Sequence, residues 1–345
     1  MKLVVDDKIP FIKGEAEKLG DVVYLPGHKI SAADVRDADV LITRTRTRCN
    51  AALLADSNVS FVATATIGFD HIDVPFMEQA GIAWTNCPGC NATSVAQYVE
   101  SSLLLLAQDG LLNLKDCIVG VIGVGNVGSR VAERIADLGC RILLNDPPRA
   151  EKDADFATIH SDLDVLMKEC DVITIHTPLT TSGDHPTLHL VNESFFQQLS
   201  RQPILLNAGR GEVVNTQALL QAINNGQVRA AIIDTWENEP NIDLELLRKV
   251  YIGTPHIAGY SADGKANGTR MSLEAIAKHF GTTVDFNVCA PQLPADFNYH
   301  AEGGEPSDPR LRLYNPHRDS EALKRNPEKF EALRGDYPLR REHFN

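Results

Sequence analysis

Short runs of aliphatic and β-branched residues alternate along this chain with stretches of helical periodicity. In the first third, LVVDD (3–7), VLITRT (40–45), FVATATIG (61–68) and IAWTNCP (82–88) read as strands, with a helix starting near Ser31. A helical segment over 94–106 follows, and then the alternation resumes. CIVGVIGVGNVG (117–128), ILLND (142–146), VITIHTP (172–178), ILLNAG (204–209), AAIIDTW (230–236) and VYIGTPH (250–256) are apolar almost throughout, as strands buried on both faces should be. Helical periodicity returns over 268–280. Strands separated in this way predict an α/β chain of parallel sheets covered by helices. At 345 residues it should form two domains.

Beyond residue 300 the pattern changes. Nine Lys/Arg balance nine Asp/Glu there, so the net charge of -13 belongs to residues 1–300, with 24 basic against 37 acidic side chains. An acidic body of this kind excludes nucleic acid and acidic membrane surfaces as main partners. Any anionic substrate must then meet a local basic cluster. The most apolar stretch, 103–107, is too short to span a bilayer, and no signal peptide is evident at the N-terminus. Seven dispersed cysteines point to reduced thiols and a cytoplasmic location. Cys87 and Cys90 bracket a Pro-Gly turn without the further ligands a zinc site needs, so no metal is expected.

The most specific chemistry is Gly123-Val-Gly125-Asn126-Val127-Gly128, set between an apolar strand and a helical stretch. The first glycine permits the turn, the second lets backbone approach a pyrophosphate, and the third allows close helix–strand packing. The pyrophosphate is expected at the positive end of the helix dipole. Asp146 ends the next strand, eighteen residues beyond Gly128, where a carboxylate can bind the adenosine ribose and repel a 2′-phosphate. The expected cofactor is therefore NAD rather than NADP, with Arg149 the one nearby residue that could favour the extra phosphate.

Three further strand ends carry polar groups beside Gly or Pro: Asn207-Ala208-Gly-Arg210, Asp234-Thr-Trp-Glu237-Asn-Glu239-Pro, and Thr254-Pro-His256-Ile-Ala-Gly259-Tyr260. Open α/β sheets bind ligands beyond such ends. Together with the glycine fingerprint, NAGRG, DTWENEP and TPHIAGY resemble the D-isomer-specific 2-hydroxyacid dehydrogenase family over most of residues 1–280. PGCNATSVAQYV, LLNDPPRA, IHTPLT, LHLVN, GYSADGKANGT and LYNPHRD resemble a branch of it that acts on a phosphorylated substrate.

The resemblance implies two Rossmann-like, doubly wound parallel-sheet domains. A discontinuous substrate (lid) domain would span 1–93 and 258–285, an NAD domain 94–257, and a dimerisation region 286–345. It implies hydride transfer between NAD and a small 2-hydroxy acid. His256 would be the proton acceptor, Glu239 its partner and Arg210 the carboxylate ligand. From the residues alone Glu237 could equally partner His256; the family pattern gives the role to the acid before Pro240. The resemblance also places Asp234, Thr177, Asn207, Ala208 and Gly259 at the cofactor and Tyr260 at the substrate. His176, His185 and His189 are expected to be structural.

The run Thr43-Arg44-Thr45-Arg46-Thr47-Arg48 should place arginines on one strand face and threonines on the other while the strand lasts. Arg44 and Thr45, with Thr66, are expected to hold the substrate carboxylate or phosphate. The tail carries apolar residues enough for a docked extension, Leu311, Leu313, Tyr314, Phe330, Leu333, Tyr337 and Leu339, and a homodimer is the expected assembly. An arginine from a neighbouring subunit's tail, Arg318 for instance, could complete the pocket. Two other readings stay open: a dehydrogenase of 3-phosphoglycerate or glycerate, and a non-catalytic NAD-sensing binding protein.

Overall fold

A computed structural model describes residues 1–294, 297 and 308–344, which divide into two compact units. The first comprises Met1–Asn91 with Ser261–Gln292, and the second Ala92–Tyr260 with Leu293–Asn345.

The first unit is built on five parallel strands: β1 (Lys2–Asp6), β2 (Asp21–Leu25), β3 (Val40–Thr43), β4 (Phe61–Thr64) and β5 (Ala83–Thr85), ordered β2-β1-β3-β4-β5. Their alternate side chains feed two cores. Leu3, Val5, Ile42 and Phe61 pack with Leu273 and Ile276 of the long helix Ala262–His279. Val4, Leu41 and Val62 pack with Leu54 and Met77 on the other face. Two sequence expectations are corrected. The edge strand β2, DVVYL, is not among the strands read from the sequence; it is apolar at four of its five positions but has no fully buried residue. The strand at 40 stops at Thr43, so the period-two alternation of arginines and threonines does not run through 44–48.

The second unit carries six parallel strands: β6 (Ile118–Ile122), β7 (Arg141–Asn145), β8 (Val172–Ile175), β9 (Ile204–Asn207), β10 (Ala230–Ile233) and β11 (Ile252–Gly253), ordered β11-β10-β9-β8-β6-β7. A parallel bridge from Leu144 to His160 adds the remnant of a further strand outside β7. The chain runs outward from β6 to β7 and that bridge, then crosses back to β8 on the other side. This reversal makes the β6/β8 boundary a topological switch point, where a crevice opens beyond the strand ends.

Register decides what lies there. Ile122 pairs with both Asn145 and Ile175, Asn207 with Ile175 and Ile233, and Ile233 with Gly253. The residues that follow, Gly123, Asp146, His176, Ala208, Asp234 and Thr254, therefore form one row along the carboxyl edge.

The helix Ala92–Gln108 is buried nearly all round, although it contains Ser94, Gln97, Glu100, Ser101 and Ser102. Each such group needs a partner. Arg134 and Arg310 reach Glu100 at 2.6 and 3.0 Å. Of the tail, the helices Arg310–Leu313, Pro316–Arg325 and Phe330–Gly335 bury Leu311 and Tyr314 in one core of this unit and Leu323 and Phe330 in the other. Among the described residues no helix is long and apolar enough to cross a membrane. All seven cysteines are outside disulfides.

Candidate active site

The glycine turn leaves β6 and enters the helix Asn126–Asp137, whose N-cap is Gly125. Gly123 adopts φ +84, and a Cβ there would meet the His176 carbonyl and Thr177. A Cβ on Gly128 would lie 1.9 Å from the Gly123 carbonyl oxygen, so no larger residue lets the helix start this close to the strand. Gly125, by contrast, faces open space. No side chain caps the helix, and an open pocket of about 520 Å³ lies against Val124, Gly125, Asn126, Ser129 and Arg149. An uncapped N-terminus with room before it suits a pyrophosphate.

The Asp146 carboxylate accepts from the backbone N–H of Val124 at 2.8 Å and of Arg149 at 3.0 Å. It ties the glycine turn to the end of β7. Arg149 is engaged within the unit: Nη1 donates to the Val124 carbonyl at 2.8 Å, Nε lies 3.4 Å from Asp153, and the guanidinium stacks over Phe156. At the end of β8, Thr177 Oγ1 is buried without a hydrogen-bond partner, as is Nδ1 of His176. An orphaned hydroxyl beside the glycine turn fits a polar ligand seated there. Burial pushes the His176 pKa down to about 3, which removes it as an acid or base near neutrality.

Beyond β9 the Asn207 side chain shapes the next loop, with Oδ1 accepting from Gly209 N–H at 3.1 Å and Nδ2 donating to the Arg210 carbonyl at 3.0 Å. Arg210 is half-buried, and Nη1 donates to the Gly209 carbonyl at 3.0 Å. Gly211 lies so close to the next loop that a Cβ would meet the Trp236 carbonyl oxygen at 2.0 Å. That loop carries Glu239. Its Oε1 accepts from Trp236 N–H at 2.8 Å and its Oε2 lies 2.8 Å from His256 Nδ1. Burial works to raise the Glu239 pKa, but the hydrogen bond and charge of His256, the Trp236 N–H and the charge of Arg334 outweigh it and hold it below normal.

Glu237 is committed elsewhere, to His189 at 2.6 Å and Thr216 N–H at 2.7 Å, so the geometry pairs His256 with Glu239. His185 meets Glu151 at 2.7 Å.

His256 adopts φ +55, a left-handed conformation that costs a non-glycine residue about 1–2 kcal/mol. Asp234 holds it there. Its carbonyl accepts from His256 N–H at 2.8 Å, and its buried carboxylate accepts from Ile257 N–H, Ala258 N–H and the Thr254 hydroxyl at 2.8, 2.9 and 2.6 Å. Burial raises the Asp234 pKa against these donors and the nearby His256. Ala208, Gly259 and Tyr260 are half-buried at the same edge.

Sequence reasoning missed the scaffold behind this loop. Tyr98 reaches Thr254 at 2.9 Å, and Ser94 donates to the Ala258 carbonyl at 2.9 Å. The signal was a set of polar residues in a helix with no exposed face. From the tail, Arg334 Nε donates to the Tyr260 hydroxyl at 2.8 Å. Arg340, fully buried, donates to Gln97, the Ser94 carbonyl and the Ile257 carbonyl. No motif marked either arginine. Arg334 of the same chain meets Tyr260, and Arg318 is exposed.

In the first unit, Arg44 and Thr66 follow β3 and β4, which pair Thr43 with Thr64. Arg44 Nη1 donates to the Lys8 carbonyl at 3.0 Å, and Thr45 is exposed. Thr66 Oγ1 lies 2.8 Å from Thr64 Oγ1, which also meets His71 Nε2 at 3.1 Å. Cys87 is a buried structural thiol, 3.1 Å from the Gly268 carbonyl and 3.3 Å from Ser272.

Comparison with known proteins gives the family. Residues 104–258 match the family described as D-isomer specific 2-hydroxyacid dehydrogenase, NAD binding domain. The chain is 53% identical to the erythronate-4-phosphate dehydrogenase of Bacteroides thetaiotaomicron, covering 99% of this chain and 97% of that protein. Identity to the Escherichia coli protein of the same name is 42%, covering 99% and 92%. Among solved structures, D-lactate dehydrogenase from Aquifex aeolicus complexed with NAD and lactic acid superposes with a TM-score of 0.64. It is 24% identical and covers 81% of this chain and 96% of that one.

Proposed function

The chain belongs to the erythronate-4-phosphate dehydrogenase family, and we propose that it oxidises 4-phospho-D-erythronate to 2-oxo-3-hydroxy-4-phosphobutanoate with NAD, a step of pyridoxal 5′-phosphate synthesis. The observation that carries the reading is the His256–Glu239 pair, at 2.8 Å, on the same strand edge as Arg210 and the glycine turn.

The residues fit NAD, as the uncapped helix, the open face of Gly125 and the orphaned Thr177 hydroxyl show. Gly123, Gly125, Asn126, Val127 and Gly128 would hold the pyrophosphate and Asp146 the ribose. Asp234, Thr177, Asn207, Ala208 and Gly259 would line the rest. When bound, NAD supplies the hydride acceptor. Preference for NAD over NADP is supported by Asp146 and by the internal engagement of Arg149.

With Nδ1–H directed to Glu239, His256 leaves Nε2 as the lone-pair nitrogen that takes the substrate hydroxyl proton. The Glu239 carboxylate stabilises the imidazolium so formed. Arg210 binds the carboxylate and polarises the C2 oxygen by charge-assisted hydrogen bonds. Asp234 fixes the His256 loop. Tyr260, with Arg44, Thr45 and Thr66, is proposed to bind substrate.

We also propose a homodimer paired through residues 286–345, in the cytoplasm. The apolar content of the tail, including the half-exposed Phe344, supports the first, and the reduced cysteines support the second. Sedimentation of the intact chain tests the dimer. The activity is tested by following NADH formation with 4-phospho-D-erythronate. No turnover of that substrate, with oxidation of 3-phosphoglycerate or glycerate instead, would overturn the substrate assignment.

A further inference from the structure

The tail brings to Tyr260 a cation that forms no ion pair among the described residues. Phe330 is buried in the core of the second unit and Leu333 packs against the same core, which anchors the short helix that bears Arg334. Tyr337 meets the Tyr260 ring edge-on, with centroids 6.1 Å apart, and Arg334 Nε donates to the Tyr260 hydroxyl at 2.8 Å. The Arg334 guanidinium carbon lies 5.5 Å from the centre of the Tyr260 ring.

That single hydrogen bond is what Arg334 makes among the described residues, and no carboxylate there forms an ion pair with it. Its terminal nitrogens, Nη1 and Nη2, are left as an open fork. Arginines elsewhere in the same unit are used differently: Arg134 and Arg310 close on Glu100, Arg310 also on Asp308, and Arg149 on Asp153. Burial acts to lower the Arg334 pKa, but the nearby Tyr260, Glu239 and Asp234 raise it overall, so the group stays charged. Glu239, one member of the catalytic pair, is thus within its electrostatic reach.

The proposed substrate has two anionic ends, a carboxylate and a phosphate ester of roughly -1.5 to -2 charge near neutrality. Arg210 can serve one. A planar guanidinium fork is the group best shaped to receive the other.

We propose that Arg334 is a substrate-binding residue of this site, its open fork taking the distal phosphate of the hydroxy acid while Arg210 takes the carboxylate. The proposal rests on the reading of the site as a phospho-hydroxy-acid dehydrogenase, and it makes the tail a determinant of specificity as well as a structural extension.

The test compares 4-phospho-D-erythronate with D-erythronate, which lacks the phosphate, in the intact enzyme and in two variants. Arg334→Gln can still donate to Tyr260 but has no charge; Arg334→Lys keeps the charge. Arg334→Gln should lower kcat/KM for the phosphorylated acid by roughly 10- to 150-fold, the range for a lost charge-assisted hydrogen bond, chiefly through KM. Its effect on D-erythronate should stay within about threefold, and Arg334→Lys should recover part of the loss.

Equal losses on both acids, or an unchanged ratio, overturn the proposal in favour of a purely anchoring arginine. If the intact enzyme fails to oxidise 4-phospho-D-erythronate, the substrate assignment itself fails. Calorimetric titration with inorganic phosphate then decides on Arg334 separately: binding to the intact protein that Arg334→Gln abolishes supports the site, and binding that is absent or unaffected overturns it. The same titration serves if turnover of the variants is too low to rank.

Discussion

Arg340 Nη1 donates to the Ile257 carbonyl at 3.2 Å, so a fully buried tail side chain holds the peptide next to His256. Its Nη2 and Nε reach the Ser94 carbonyl at 2.6 Å and Gln97 at 2.9 Å, and its guanidinium stacks 3.5 Å from the centre of the Tyr314 ring. The tail, the helix Ala92–Gln108 and the His256 loop therefore form one hydrogen-bonded body.

Arg340→Met should destabilise the protein by about 3–5 kcal/mol, because buried acceptors lose a charged donor together. It should also lower kcat, since the His256 loop loses a support. Denaturant unfolding and steady-state kinetics read the two effects. A variant with unchanged midpoint and kcat would show that the network contributes nothing.

His256→Gln should reduce kcat by roughly 10²–10⁴-fold, the usual worth of a positioned general base. The NAD dissociation constant should change by no more than about threefold, because the residues proposed to hold the pyrophosphate and ribose lie on other strand ends. Fluorescence titration separates the two. A proportionate loss of NAD affinity would assign His256 to the cofactor.

Glu239 also predicts a pH dependence of stability. Its pKa is depressed on folding, the raising effect of burial being outweighed by His256, the Trp236 N–H and Arg334. A depressed carboxyl contributes stability that is complete above its unfolded value, about 4.3, and is lost as pH falls through the lower folded value. The stability difference between wild type and Glu239→Gln should thus be constant above about pH 5 and shrink below about pH 4. Urea unfolding across that range measures it; a difference that grows toward acid would contradict the pairing.

What could be read in the sequence was local. Gly123, Gly125 and Gly128 sit between a strand and a helix, and Arg210, Glu239 and His256 follow apolar strands, so period and position locate them. Arg334 and Arg340 do not belong to any periodic run; their partners are Tyr260, Gln97 and Ile257, remote in sequence. Such contacts exist only after the chain has folded. The polar run at 44–48 misled for a related reason, since nothing in its composition marks the end of β3 at Thr43.

Asp146→Ala should raise the NAD dissociation constant at least about tenfold. The carboxylate holds Val124 N–H and Arg149 N–H, so its loss would remove the proposed ribose ligand and loosen the glycine turn, with charged hydrogen bonds worth about 1.5–3 kcal/mol each. At saturating NAD, kcat should stay within about threefold of wild type. A fall in kcat without weaker NAD binding would place Asp146 in the chemistry rather than at the cofactor.

Gly211→Ala tests whether the Arg210 and Glu239 loops act as one unit. An added Cβ would lie 2.0 Å from the Trp236 carbonyl oxygen and 2.6 Å from Glu237 N, both backbone atoms that cannot rotate away. One of the two loops must move. Trp236 N–H is the donor to Glu239 Oε1, so a displacement of either loop alters the spacing between Arg210 and the His256–Glu239 pair. Overpacking of this kind costs typically about 1–3 kcal/mol. A misplacement of about 1 Å can cost on the order of a hundredfold in rate. The variant should therefore lose kcat by at least about tenfold while still binding NAD through the distant glycine turn. Wild-type turnover in Gly211→Ala would mean that the two loops move independently, and that the close contact at Trp236 is incidental to the chemistry.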